Sequence, residues 1–213
     1  MKNISENYKK NTLVDYQHNV NIQEVLKKKR VKLTPARAML LSVLFDLVRD
    51  GEFVSEFSAE KIVYFLQRFG AKEIFILDFQ TDFYGPYSGK VKQELNCLNG
   101  IYITGYSSKG NKPFEELSLM VDTENEVNDY LDSPVNAQNK AIVLKTKAFL
   151  SGFYGNFGLE LLSTVDYIIT DKNTKSVTEI TKHLENWSKR KKTLFTNPKF
   201  IPIAVQNIDK HFA

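Results

Sequence analysis

The sequence predicts an α+β fold that is mostly α: a helical domain carrying a β-hairpin, winged-helix-like in its N-terminal half, followed by a helical C-terminal half. Three observations carry this expectation. Apolar residues recur at helical spacing in several stretches that open on capping residues. Residues 101–121 alternate as strands do. Beyond residue 123 the helical spacing returns and holds to the end.

Residues 1–33 are polar and weakly periodic and read as a basic leader or linker, so the folded domain is expected over 34–213. Thr34 and Pro35 are a helix opening, a hydroxyl to cap free amides and a proline in the first turn. Met39 to Val48 is apolar nearly all round, which marks a central, buried helix ending at Gly51. Ser58 is the expected cap of a second helix running to Gly70. Residues 74–79 fit neither period, and 82–88 read as a loop because Gly85 and Pro86 break both. Ser88 is expected to open a third helix with Val91, Leu95 and Leu98 on one face and Asn99-Gly100 as its stop. In the hairpin, Ile101 and Ile103 answer Leu117, Leu119 and Val121 across a polar turn. Thr123 with Glu126 and Ser176 with Glu179 have capping-box spacing. Pro134 ends a short helix; residues 137–151 and 159–169 form a helical pair joined at 152–158; the last helix starts near Pro202.

Length and charge bound the function. At 213 residues the chain buries roughly 70% of its unfolded surface and needs no disulfide or metal for a core. Cys97, the only cysteine, reads as a small core residue and fits a reducing, cytoplasmic setting; no apolar run reaches a membrane span. The net charge of +4 is uneven. Residues 1–33 hold eight Lys/Arg against Glu6, Asp15 and Glu24, while 34–213 are close to neutral, so the body lacks the basicity of a nucleic-acid binder. Lys27-Lys28-Lys29-Arg30 reads as part of a solvated linker, and Lys189 to Lys192 as a solvated basic face.

No constellation for catalysis stands out. His18, His183 and His211 stand alone, and no nucleophile motif or phosphate loop is present. Gly152, Gly155 and Gly158 are spaced three and three, which fits a tight helix–helix link. No catalytic, cofactor or metal residue is therefore expected. Two acid-rich stretches are solvated helix faces or docking surfaces: Asp50, Glu52, Glu56 and Glu60, then Asp122, Glu124, Glu126, Asp129 and Asp132. Aromatic groups at Phe83, Tyr84 and Tyr87, and at Phe153, Tyr154 and Phe157, are binding anchors or core plugs.

Several strings occur together in order: Leu33-Thr-Pro-Ala-Arg-Ala-Met-Leu-Leu41, Glu60-Lys-Ile-Val-Tyr-Phe-Leu-Gln67, Phe83-Tyr-Gly-Pro-Tyr87, Leu95-Asn-Cys-Leu-Asn-Gly100 with Ile103-Thr-Gly-Tyr106, Gly152 through Val165, and Trp187-Ser-Lys-Arg-Lys191 with Leu194-Phe-Thr196. Over about 33–213 this series resembles the C-terminal, toxin-binding region of the DarG antitoxins of DarT–DarG toxin–antitoxin systems, and is similar in style to Panacea antitoxin domains. The resemblance implies an antitoxin domain that binds a DarT-type DNA ADP-ribosyltransferase 1:1 and covers its DNA cleft. No macrodomain precedes it here, so it implies no enzyme and no glycohydrolase activity. Tyr84, Tyr87, Phe153, Tyr154, Glu52, Glu56, Asp122, Glu124, Glu126 and Asp129 are then the expected partner-binding residues, the acids acting as phosphate surrogates. The alternative is a winged-helix DNA-binding transcriptional regulator using residues 88–98 and 101–121.

Overall fold

The computed structural model describes residues 31–107, 109–195 and 197–212, so His18 and the basic run at 27–30 lie outside the described residues. The fold is built on two buried helices. Helix α1 (Pro35–Arg49) opens as its sequence dictates, with Pro35 in the first turn and the Thr34 hydroxyl accepting the Arg37 amide. Residues 38–45 and Leu47 are all buried, which places α1 at the centre, against the helices that follow it and those at 124–150. Helix α2 (Glu56–Leu66) is buried along its whole length, charged residues included.

Its cap is Ser55, not Ser58. Ser55 is extended and accepts the Ser58 amide at 3.1 Å, while the Ser58 hydroxyl accepts the Ser55 amide at 2.9 Å. Two serines three apart thus make the reciprocal box that is usually built from serine and glutamate. A wider turn (Gln67–Ala71) leads into the short helix α3 (Lys72–Phe75), after which the Gln67 amide holds both polar atoms of the Leu77 backbone at 2.9 Å.

The segment read as a loop is an antiparallel hairpin. Strand β1 (Gln80–Asp82) pairs with β2 (Gly85–Tyr87) in the register Gln80 to Tyr87, Thr81 to Pro86 and Asp82 to Gly85. Gly85 follows the reversal at Phe83 and Tyr84 with φ 99°, and a Cβ there would lie 2.8 Å from the Thr164 hydroxyl, so glycine is needed twice over. Gly85 and Pro86, which break helical and strand periodicity in the sequence, are here the first residues of β2 after a two-residue turn.

Helix α4 (Val91–Leu98) begins three residues after Ser88 and buries the expected stripe of Val91, Leu95 and Leu98. Cys97 falls on its opposite face and is exposed, so it is no core residue. The second hairpin is shorter than its alternation implied. Strands β3 (Ile103–Thr104) and β4 (Ser118–Leu119) pair Ile103 with Leu119, and Leu117 bridges to Val54.

The C-terminal half is helical, as expected: α5 (Glu124–Asp132), α6 (Ala137–Leu150), α7 (Asn156–Lys172), α8 (Val177–Trp187), α9 (Lys189–Leu194) and α10 (Phe200–Phe212). The Thr123–Glu126 box does not form, because the Thr123 hydroxyl donates to the Met120 carbonyl at 2.7 Å and Glu126 is taken by the Tyr102 hydroxyl at 2.9 Å. Ser176 does cap α8, accepting the Glu179 amide, while the Glu179 carboxylate accepts from Thr174. The joint between the helical pair is shorter than 152–158, since α7 starts at Asn156 and contains Gly158. The last helix starts at Phe200, two residues before Pro202. Among the described residues no helix is long and apolar enough to cross a membrane.

Gly158 marks a close approach. A Cβ there would meet the Phe153 carbonyl oxygen at 2.7 Å and its Cα at 2.9 Å, both backbone atoms that cannot swing aside. Gly158→Ala is therefore expected to destabilise by about 1–3 kcal/mol despite alanine's better helix propensity, measured as a lower urea midpoint.

Candidate functional site

Among the described residues five charged side chains are almost wholly buried: Glu60 and Lys61 on α2, Glu160 and Asp166 on α7, and Lys191 on α9. Burying an ion without partners costs several kcal/mol, so each must be satisfied. Spacing arranges this. Glu56, Glu60 and Tyr64 are four apart on α2, as Glu160 and Thr164 are on α7, so each set lines one helix face.

The contacts hold the hairpin down. Lys61 Nζ donates to the Pro86 carbonyl at 2.6 Å, and Pro86 lies in β2. Glu60 accepts the Ser88 amide at 3.1 Å and the Gly89 amide at 3.2 Å, pinning the chain as it leaves β2. Lys191 Nζ donates to Glu160 at 2.6 Å and to Thr164 Oγ1 at 3.0 Å; Arg190 pairs with the same Glu160 carboxylate. Asp166 accepts the Tyr64 hydroxyl at 2.6 Å and Arg68 through Nε at 2.7 Å and Nη2 at 3.0 Å. At the far end Trp187 Nε1 donates to the Asp82 carbonyl at 3.0 Å.

Burial also moves the acid–base behaviour. Loss of solvent lowers Lys61 to about 7, against the pull of Glu60, and lowers Lys191 to about 8, against the pull of Glu160. Burial raises Glu60, and it raises Tyr87 to about 12, helped by the nearby Glu56. Tyr64, Tyr106 and Tyr154 are raised for the same first reason, with Asp166, Glu56 and Asp46 respectively adding to it.

Around the clamped hairpin lie two adjoining clefts on α7. One, of about 550 Å³, lies between β1, α7 and α8 and includes Asp82, Phe83, Tyr167, Asp171, His183 and Trp187. The other, of about 560 Å³, includes Tyr64, Arg68, Lys72 and Phe79, and shares Tyr167 and Asp171 with the first. A smaller cavity of about 190 Å³ under the turn is walled by Glu56, Glu60, Lys61, Tyr84 and Tyr87. Among the described residues no group of three or more His, Cys, Asp or Glu is placed to hold a metal ion.

The expected partner-binding residues separate into different places. Glu56, Tyr84 and Tyr87 meet at the hairpin: Glu56 accepts the Tyr87 hydroxyl at 3.2 Å and the Tyr106 hydroxyl at 3.0 Å, and Tyr84 packs on Phe57 and Phe114 beneath Arg190. Tyr154 is a core plug whose hydroxyl donates to Asp46 at 2.9 Å, near the end of α1, where Arg49 links Asp46 and Glu124. Glu52 sits against Gly155, and the Phe153 backbone against Gly158. Glu126 accepts from Tyr102, while Asp122 and Asp129 are exposed. The basic run at 189–192 is not simply a solvated face, since Lys191 is fully buried. Lys61, Glu160, Asp166, Tyr167 and Trp187 were missed; the available signal was charge set within otherwise apolar helices.

Lys191→Met, which leaves Glu160 short of a partner, is expected to cost about 3–5 kcal/mol, with most of it restored in the double variant that adds Glu160→Gln; urea unfolding of the set measures this. A pH series tests the lysines. Below about pH 7 folded and unfolded chains both hold the Lys61 proton; between there and the ordinary 10.5 only the unfolded chain keeps it, so stability rises with pH across that window. Lys191 adds to the rise from about pH 8. The raised tyrosines reverse it above their ordinary 10.0, where the unfolded phenols ionise first. The urea midpoint should climb from about pH 7 to about pH 9, and Lys61→Met should flatten that slope.

No protein-family model matches the chain. It is similar to three curated proteins, each named DNA ADP-ribosyl glycohydrolase. The protein of Thermus aquaticus is 30% identical over 166 residues, covering 78% of this chain and 44% of the relative. Those of Mycobacterium bovis and Mycobacterium tuberculosis are 26% identical over 193 residues, covering 84% of this chain and 53% of the relative. The chain thus spans about half the length of the curated relatives it matches. These names correct the expectation drawn from the resemblance. They state a glycohydrolase acting on DNA-linked ADP-ribose, where the sequence reading pointed to an antitoxin domain blocking a DarT-type toxin, with no glycohydrolase activity and no enzyme. They do not favour the winged-helix regulator either.

Proposed function

We propose that this chain takes part in removing ADP-ribose from DNA. The observation that carries the reading is its similarity to the Thermus aquaticus protein, which extends over 78% of this chain rather than over one motif. The geometry supports it at one point: the hairpin is fixed by hydrogen bonds with the buried Lys61 and Glu60 and with Trp187, so the clefts beside it are held open in a set shape, as a site for a sizeable polar substrate requires. The near-neutral charge of residues 34–213 fits recognition of the modification more than a grip on a long phosphate backbone. A winged-helix-like grouping of α1, α2 and α4 with the β3–β4 hairpin, and a cytoplasmic setting, belong to the same reading.

The test is a single-stranded oligonucleotide carrying ADP-ribose, incubated with the purified chain. Preferential binding of the modified over the unmodified strand is expected in a filter assay, with free ADP-ribose appearing on chromatography. A chain that neither binds nor unloads the modified strand overturns the reading.

A further inference from the structure

The cleft between β1, α7 and α8 has walls of a particular kind. Tyr167 on α7 and Trp187 on α8 meet edge to face, ring centroids 5.8 Å apart and planes at 69°. A pair set this way cannot stack on itself, and it presents a ring face to anything entering the cleft. The indole is fixed from two sides: Nε1 donates to the Asp82 carbonyl at 3.0 Å, and the Lys191 ammonium lies 5.7 Å from the ring centroid. Phe83, 52% exposed, stands at the turn of the hairpin and lines the same cleft. Three aromatic rings around about 550 Å³, one of them locked, make a slot for a flat ring.

The polar groups decide which flat ring. Asp82 and Asp171 line this cleft beside only Lys172 and His183 as basic groups, and Lys172 is paired with Asp171 at 2.8 Å. That balance offers little to a bare phosphate chain. Carboxylates instead accept from amino groups, such as the exocyclic amine of adenine or cytosine. Asn186, on the same face of α8, adds an amide that can both donate and accept.

We propose that the cleft between β1, α7 and α8 is a binding slot for an amino-bearing nucleobase, stacked against Tyr167 and Trp187 with its amine toward Asp82 or Asp171. The inference rests on the proposed function, in which such a base occurs in two sources, the adenine of ADP-ribose and a base of the DNA.

Trp187 is the only tryptophan of the chain, so its fluorescence reports on this cleft alone. Adenosine monophosphate, ADP-ribose, oligo(dA), oligo(dT) and ribose 5-phosphate are titrated separately. Saturable quenching by the adenine-bearing probes is expected, with little from oligo(dT) and none from ribose 5-phosphate. Quenching by ADP-ribose but not oligo(dA) identifies the modification as the source of the base; the reverse identifies the strand. Tyr167→Ala should weaken binding roughly tenfold to a hundredfold. Should that variant unfold, Phe83→Ala, at an exposed position, should still weaken it several-fold. No saturable quenching at millimolar probe, or equal quenching by ribose 5-phosphate, overturns the slot. The two readings fail separately. Release of ADP-ribose without quenching removes the slot alone, and quenching without release or preferential binding of the modified strand removes the proposed function alone.

Discussion

The pairing of Lys191 with Glu160, inside a core that admits almost no water, is the constraint on which the rest of the hairpin region depends. A short helix of six residues, α9, would have little reason to lie against α7 on its apolar content alone. Its buried lysine supplies that reason, and Arg190 on the preceding position reaches the same carboxylate while covering Tyr84 and Phe83 at 4.9 and 5.6 Å. Once α9 is seated, Trp187 just before it is brought over the cleft, and its indole closes on Asp82 of β1. From the other side Lys61 and Glu60 grip β2 and the residues after it. A two-stranded ribbon is marginal in water by itself; here β2 is held by a buried lysine and β1 by the indole of Trp187.

The helices were legible because their signals are local. Thr34-Pro35, the all-round apolar run of α1 and the stripe at Val91, Leu95 and Leu98 each follow from residues within a few turns of one another. The misreadings share a different cause. Ser58 could be a cap on its own, and only the backbone at Ser55 decides between the two serines. Thr123 and Glu126 have the right spacing, but Tyr102 from β3's approach claims the carboxylate first. The 82–88 hairpin depends on Gly85 meeting Thr164, 79 positions away in the chain, a partner no window of sequence reveals.

The site was less legible than the fold for the same reason. Acid-rich stretches were read as faces for a partner, yet Glu56 and Glu60 are internal and bonded to tyrosines and backbone amides. Asp50, Asp122, Asp129 and Asp132 remain exposed acids of the expected kind. The aromatic groups divide as well, Tyr154 filling the core and Phe83 reaching solvent. Function moved with them: an interaction domain expected from resemblance gives way to a chain similar to proteins named for hydrolysing a DNA modification.

The longest of these bonds have a consequence for the way the polypeptide comes into being. Tyr64 reaches Asp166 across 102 positions, and Tyr154 reaches Asp46 across 108. During synthesis α2 and the turn after it must therefore leave the ribosome carrying Tyr64 and Arg68 long before α7 exists to supply Asp166. Such a helix cannot settle early, since its ions would be stranded in a half-made interior. The buried contact between α2 and α7 can close only once α7 has been made, which places it late in folding.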